Sequence, residues 1–254
     1  MAKIQLPTVT LCAAASVNMP ATVAALHASM AHLEFAECLL FTDGERATCE
    51  SIRQVRIPRL RSSLDYSEFM IRSLPEHIRT EHCLVVQWDG FVINADRWDP
   101  SFLNFDYIGA PWPQFDDGHN VGNGGFSLRS RRLLNACRDD HFRPGGAEDL
   151  AICRVNRPML ESEFAIRFAD LPTAERFSFE RTMPAAPTFG FHGVFNMIEA
   201  IGEDAFWNHY LGLDDRTSAH LDFWQILRQL GRGPHASRRR RKFVVDRLAG
   251  LFRS

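Results

Sequence analysis

Apolar and polar positions follow two alternating rhythms through the first half of the chain. Residues 7–15 (Pro-Thr-Val-Thr-Leu-Cys-Ala-Ala-Ala) are a short apolar run that predicts a buried strand. Asn18 and Pro20 then open a helix reaching about Leu33, with apolar residues at Val23, Leu26, Met30 and Leu33. Cys38–Phe41 is a second strand-like run, stopped by Thr42-Asp43-Gly44, and Val55–Leu60 is a third. Ser67–Ile78 fits a helix. Cys83-Leu84-Val85-Val86 is the strongest strand pattern and runs into Gln87-Trp88-Asp89-Gly90. This alternation predicts an α/β domain, a mixed and mostly parallel sheet flanked by helices. From Asp106 to Gly125 the chain reads as one long loop rich in glycine, proline and aromatics, a length that is uncommon without a function. Helical spacing returns at Ser130–Cys137, Ala147–Asn156, Ala205–Tyr210 and His220–Leu230, and Gly231-Arg232-Gly233-Pro234 breaks the chain before its end. The predicted organisation is one domain over 1–230 and a C-terminal tail over 231–254.

Charge changes this picture at the tail. The 254 residues carry a formal charge of −2. Residues 237–254 hold seven basic residues (Arg238, Arg239, Arg240, Arg241, Lys242, Arg247, Arg253) against Asp246, a local +6 that leaves −8 on residues 1–236. An acidic body excludes a general nucleic-acid binder. The basic run precedes Phe243-Val244-Val245, Leu248 and Leu251-Phe252, an amphipathic pattern suited to an anionic membrane surface, against the alternative of a solvated tail. The six cysteines form no CxxC pair and no zinc spacing, and read as free thiols in a reducing cytosol. The N-terminal stretch is interrupted by Gln5, Pro7, Thr8 and Thr10 and reads as a strand rather than a signal peptide. The expected localisation is cytoplasmic, peripheral on the inner face of the membrane.

Five groups of residues could carry chemistry. Asp89 directly follows a buried strand, at the edge where open α/β sheets place ligands; it fits a cation or ribose ligand, or a turn residue before Gly90. Val121-Gly122-Asn123-Gly124-Gly125-Phe126 has the glycines to adopt positive φ and let a ligand touch the backbone, or simply to make a turn; it matches neither a dinucleotide fingerprint nor a Walker loop. Glu148-Asp149 sits at a helix start, where the dipole alone favours acids, or where a general base could be held. His192, within Phe189-Gly190-Phe191-His192-Gly193, needs a partner such as Asp89 to ligate a metal. Tyr107, Trp112 and Phe115 could stack on a sugar or pack under the loop.

Taken in order, Gln87–Val92, Asp106–Trp112, Val121–Ser130, Glu148-Asp149 and Phe189–Gly193 resemble a bacterial and fungal family, DUF5672, that looks like GT-A-type glycosyltransferases. The resemblance spans roughly residues 7–195 and implies sugar transfer from a nucleotide-sugar donor to a cell-surface or lipid-linked glycan acceptor, with inversion. The Asp-x-Asp of such enzymes is matched by Gln87-Trp88-Asp89, where Gln87 replaces the first acid. The resemblance implies Asp89 and His192 as ligands of Mn2+ or Mg2+. It implies Gln87, Asp89, Tyr107, Trp112, Asn123, Gly124 and Gly125 as donor- or acceptor-binding residues, and Asp149, ahead of Glu148, as the base. Two alternatives remain open: an inactive nucleotide- or glycan-binding module, favoured by Gln87, and a nucleotidyltransferase.

Overall fold

Strand β1 spans Ile4–Ala14 and is buried from Val9 through Ala13, because it is paired on both sides. Its register slips between Leu6 and Thr10, where Pro7 has no N–H to give the ladder. The computed structural model describes residues 2–44, 49–231 and 233–251. Helix α1 (Met19–Met30) stops three residues short of the expected end; Leu33 instead opens β2 (Leu33–Thr42), pairing with Ile4. The helical spacing had drawn Leu33 onto the wrong element. Then follow β3 (Arg53–Arg56), α2 (Ser63–Glu68), which widens into a π-turn at Phe69–Ser73, and β4 (His82–Val85).

The segment expected as one loop contains three two-residue strands, β5 (Tyr107–Ile108), β6 (Ala110–Pro111) and β7 (Val121–Gly122). Strand β8 (Ser127–Ser130) leads into α3 (Arg131–Ala136), whose first turn is capped by Ser130 Oγ accepting from the Leu133 N–H at 3.0 Å. Helix α4 (Glu148–Leu150) continues as a π-turn to Val155; α5 (Arg157–Phe164), α6 (Leu171–Phe177), β9 (Ser178–Phe179) and β10 (Gly190–Phe191) complete this part. The main sheet has the order β3-β2-β1-β4-β8-β5. Its first four strands are parallel, and β8 runs antiparallel to both neighbours. Helices and their apolar residues cover it, giving the mixed, mostly parallel α/β sheet expected. The order reverses between β1 and β4, so a ligand crevice is favoured beyond the carboxyl ends of those two strands.

The chain divides into two compact units, Met1–His192 and Gly193–Ser254. The second is helical: α7 (Met197–Ile201), α8 (Glu203–Leu211), α9 (Thr217–Leu221), α10 (Phe223–Gln229) and α11 (Ala236–Leu251). The expected tail is therefore largely a packed helix. Phe243 of α11 is fully buried, stacked on Phe223 at 5.1 Å and tilted against Tyr210 at 5.2 Å. Arg239 pairs with Glu203 and Asp204. The remaining face of α11 exposes Arg238, Arg241, Lys242, Val245 and Leu248. Arg232, Phe252 and Arg253 of the expected pattern lie outside the described residues. Among the described residues no helix is long and apolar enough to cross a membrane. Five of the six free cysteines are buried; Cys49 is exposed.

Candidate active site

Beyond β4 the chain turns sharply. The Val86 N–H still donates to Cys12 O at 2.9 Å, and Gln87 and Gly90 then exchange both backbone hydrogen bonds, at 2.9 and 3.0 Å. Trp88 and Asp89 are thereby the two residues of a tight turn at the carboxyl edge of the parallel strands, and Asp89 is buried. A second device brings His192 to the same place. Strands β9 and β10 pair in parallel with Phe191 beside Phe179, and the His192 N–H donates to Phe179 O at 3.0 Å. That register sets Glu180 and His192 side by side.

The imidazole is bracketed by acids. His192 Nε2 lies 3.8 Å from Asp89 Oδ1 and 3.2 Å from Gln87 Oε1, while Nδ1 lies 3.2 Å from Glu180 Oε1. Burial alone would lower its pKa, but the carboxylates of Asp89 and Glu180 outweigh it and hold the ring at about 9. Glu180 is likewise pushed up by burial and held below the usual carboxylate range by His192.

The glycine segment lies between this group and the acidic pair. The positive φ expected of its glycines is taken by Asn123, at 72°. Asn123 Oδ1 accepts from the Gly125 N–H at 3.1 Å, which leaves its Nδ2 3.0 Å from His192 Nδ1. The glycines serve close approach instead. A Cβ on Gly125 would stand 2.0 Å from His192 Nε2, and one on Gly124 would stand 1.9 Å from Glu148 Oε1. Tyr107 corrects the sugar-stacking expectation: its ring is fully buried and its hydroxyl donates to Asn123 O at 3.0 Å, so it holds the turn from below. Trp112 is also mostly buried, packed over Gly122, with an edge on a neighbouring cavity.

The two adjacent acids have parted company, as side chains about 100° apart on a helix must. Glu148 is buried and ion-paired with Arg129, Nη2 to Oε1 at 2.9 Å. Asp149 is half-buried; its Oδ2 accepts from the Gly124 N–H at 3.1 Å and its Oδ1 from its neighbour Leu150 N–H at 2.8 Å. Burial, and then the charge of Glu148, raise its pKa.

Sequence reasoning missed two members. Glu180 is detectable only through the β9–β10 register, which joins residues twelve apart by two-residue strands. Arg129 is fully buried inside β8, donating from Nε to Ser127 Oγ at 2.9 Å and from Nη2 to Gly124 O at 3.2 Å. A lone arginine in a four-residue buried strand is the signal that would have found it.

Among the described residues no group of three or more His, Cys, Asp and Glu is arranged to hold a metal by itself. The donors present nonetheless suit a divalent cation shared with a phosphate ligand: one carboxylate, one imidazole nitrogen and an amide oxygen, with Glu180 behind the ring on its other nitrogen.

Residues 51–192 match the family described as "Protein of unknown function (DUF5672)", a match that ends where the first unit ends. No curated protein matches the chain in sequence. Similar solved structures include the mannosyltransferase PcManGT from Pyrobaculum calidifontis, in complex with GDP-Man and Mn2+ (12% identity, 68% of this chain and 58% of that one, TM-score 0.45). They also include an active-site mutant of LgtC (13%, 84% and 99%, TM-score 0.47). A third is the apo form of the glycosyltransferase GlyE of Streptococcus pneumoniae TIGR4 (13%, 85% and 63%, TM-score 0.47). The chain spans less than two thirds of the mannosyltransferase and of GlyE.

Proposed function

The chain belongs to the DUF5672 family, and from that premise we propose that it is a nucleotide-sugar-dependent glycosyltransferase. One observation carries the reading. Asp89, His192 and Asp149 converge on the Asn123–Gly125 turn, next to the strand-order reversal where an α/β sheet favours a ligand.

In this reading Asp89 and His192 Nε2, with Gln87 Oε1, would hold Mn2+ or Mg2+. The cation supplies charge neutralisation for the departing nucleoside diphosphate. Glu180, beside Nδ1, orients the imidazole, and the Asn123–Gly125 turn carries His192 and Asp149 against it. Asp149 takes the proton of the acceptor hydroxyl as that oxygen bonds to the anomeric carbon and the bond to the diphosphate breaks. A carboxylate with a raised pKa is a better base than an ordinary one, while Glu148, held by Arg129, keeps to a structural role. The acceptor is a glycan. The exposed face of α11, with Arg238, Arg241 and Lys242 beside Val245 and Leu248, is suited to an anionic membrane surface.

The test is release of nucleoside diphosphate from a panel of nucleotide-sugars, with and without Mn2+. Asp149→Asn is expected to cut turnover by roughly 10²–10⁴-fold while keeping donor affinity. Activity of the parent should fall on the acid side at a pH above the ordinary carboxylate range, since the base must be ionised. Unchanged turnover in Asp149→Asn refutes the assignment of the base. A second reading, an inactive binding module, is favoured by the ion pairs of His192 with Asp89 and Glu180, which already balance charge at the site. Nucleotide-sugar binding without turnover on any acceptor would select it.

A further inference from the structure

The long segment rich in glycine, proline and aromatics is only partly used by the candidate site. Tyr107 and the Asn123–Gly125 turn belong to that site, and residues 113–120 between them do not. This stretch is nevertheless fastened in place. Arg154 grips the Asp117 carboxylate with both arms of its guanidinium, Nη1 at 2.7 Å and Nη2 at 2.6 Å. Nη1 also donates to His119 O at 2.8 Å, and the guanidinium lies 4.0 Å over the Phe115 ring.

So held, the stretch is one wall of a cavity of about 590 Å³ within the first unit, a size suited to a small organic ligand. Helix α6 is a second wall and a strap at 182–187 a third. Phe115, Met183, an edge of Trp112 and several prolines give it a mainly apolar surface.

Charge narrows what the cavity would take. Asp116 lines it from the first wall and Glu175 from the second. Both are exposed, and among the described residues neither forms an ion pair. Arg176, the one cation in the lining, is drawn to other partners. Its Nη2 lies 3.6 Å from Asp99 Oδ2, and its Nη1 donates to Pro172 O at 3.2 Å. Two segments distant in sequence thus bring two unpaired carboxylates to one apolar cavity. Like charges repel, and a cation between them turns that repulsion into attraction. A hydrated metal ion gains nothing from apolar walls, and an anion is repelled. An ammonium group carried on an apolar body meets both features.

We propose that this cavity binds a small organic cation, a protonated amine on an apolar body of about the size of one aromatic ring. The body lies against Phe115, Met183 and the prolines, and the ammonium lies between Asp116 and Glu175. No residue of the candidate active site lines the cavity, so this inference does not depend on the transferase reading.

The experiment is calorimetric titration of the full chain with phenethylamine at neutral pH. Phenethyl alcohol is the neutral control, hydrocinnamate the anionic one, and ethylamine the cation without an apolar body. Phenethylamine is expected to bind at least about tenfold more tightly than any of the three, and added salt should weaken it. Asp116→Asn with Glu175→Gln, both at exposed positions, should weaken phenethylamine by about tenfold and leave phenethyl alcohol unchanged. Ala186→Trp, at an exposed position on the strap, should weaken both by about tenfold, with the melting temperature of each variant confirming that it is folded. Failure of phenethylamine to bind at millimolar concentration overturns the proposal. So does equal binding of phenethyl alcohol or hydrocinnamate, or phenethylamine affinity unaltered in either the double variant or Ala186→Trp.

Discussion

Glu148→Gln tests whether the first acid of the pair belongs to the scaffold. Arg129 is fully buried, and a guanidinium cannot shed its charge. Its Nη2 serves Glu148 Oε1 and Gly124 O, its Nε serves Ser127 Oγ, and its Nη1 has no partner. With glutamine at 148 the hydrogen bond can survive, but the buried cation loses the carboxylate it is paired with. Breaking a buried pair from one side costs about 3–5 kcal/mol. At about 2–4 °C per kcal/mol for a chain of this size, the melting temperature should fall by about 6–20 °C. Arg129→Met strands the carboxylate instead, which can escape by taking a proton. Its folded pKa would then exceed its unfolded value, so this variant should be closest to the parent at pH 5 and lose ground toward pH 8. Glu148→Gln should show no such recovery in acid. Arg129→Met combined with Glu148→Leu removes both charges and should melt above either single variant. Thermal and urea unfolding followed by circular dichroism at the two pH values decides the matter. A Glu148→Gln variant melting within about 2 °C of the parent refutes the reasoning.

Three further outcomes follow from close contacts and exposed faces. Gly125→Ala puts a methyl group 2.0 Å from His192 Nε2, so the ring must leave its place; Mn2+-dependent nucleotide binding, measured by calorimetry, should be lost while the chain stays folded. Phe243→Ala should cost the helical unit about 3–5 kcal/mol in denaturant titrations, and a loss under about 1 kcal/mol would mean that α11 is not packed as described. Val245→Asp with Leu248→Asp should release the chain from anionic liposomes without altering its melting temperature, and equal retention of both forms in co-sedimentation removes the membrane idea.

The parallel half of the fold was legible because its signal is local. Buried strands with partners on both sides must be continuously apolar, and Cys38–Phe41 and Cys83–Val86 are. The short strands around the site were not. Strands β5, β6, β7, β9 and β10 are two residues long, too short for any periodicity, and their pairing depends on distant partners such as Arg129 opposite Tyr107. Helix α11 is legible in part. Its basic and apolar residues were seen, but only packing against Phe223 and Tyr210 reveals that Phe243 faces inward.

The candidate site shows the same division, with an instructive exception. Asp89, Asn123, Asp149 and His192 carry distinctive neighbours in the sequence, and the fold brings them around one turn. Of the two reasons the sequence offers for its glycines, positive φ falls to Asn123, and close approach holds but is made by side chains. The backbone at Gly124 and Gly125 needs the absence of a side chain, because Glu148 and His192 occupy that space. The distinction matters for the chemistry. A turn chosen for freedom could move on ligand binding. One pinned by Asn123 Oδ1, by the Tyr107 hydroxyl and by two side chains wedged against its glycines holds Asp149 and His192 at a fixed separation before any ligand arrives. Such preorganisation is what a site needs if a base and a charge-stabilising group must act on opposite ends of one reaction. It also explains why Arg129 lies beneath the site though it faces no ligand: its hydrogen bond to Gly124 O and its ion pair with Glu148 fasten the turn to the acidic pair from the core side.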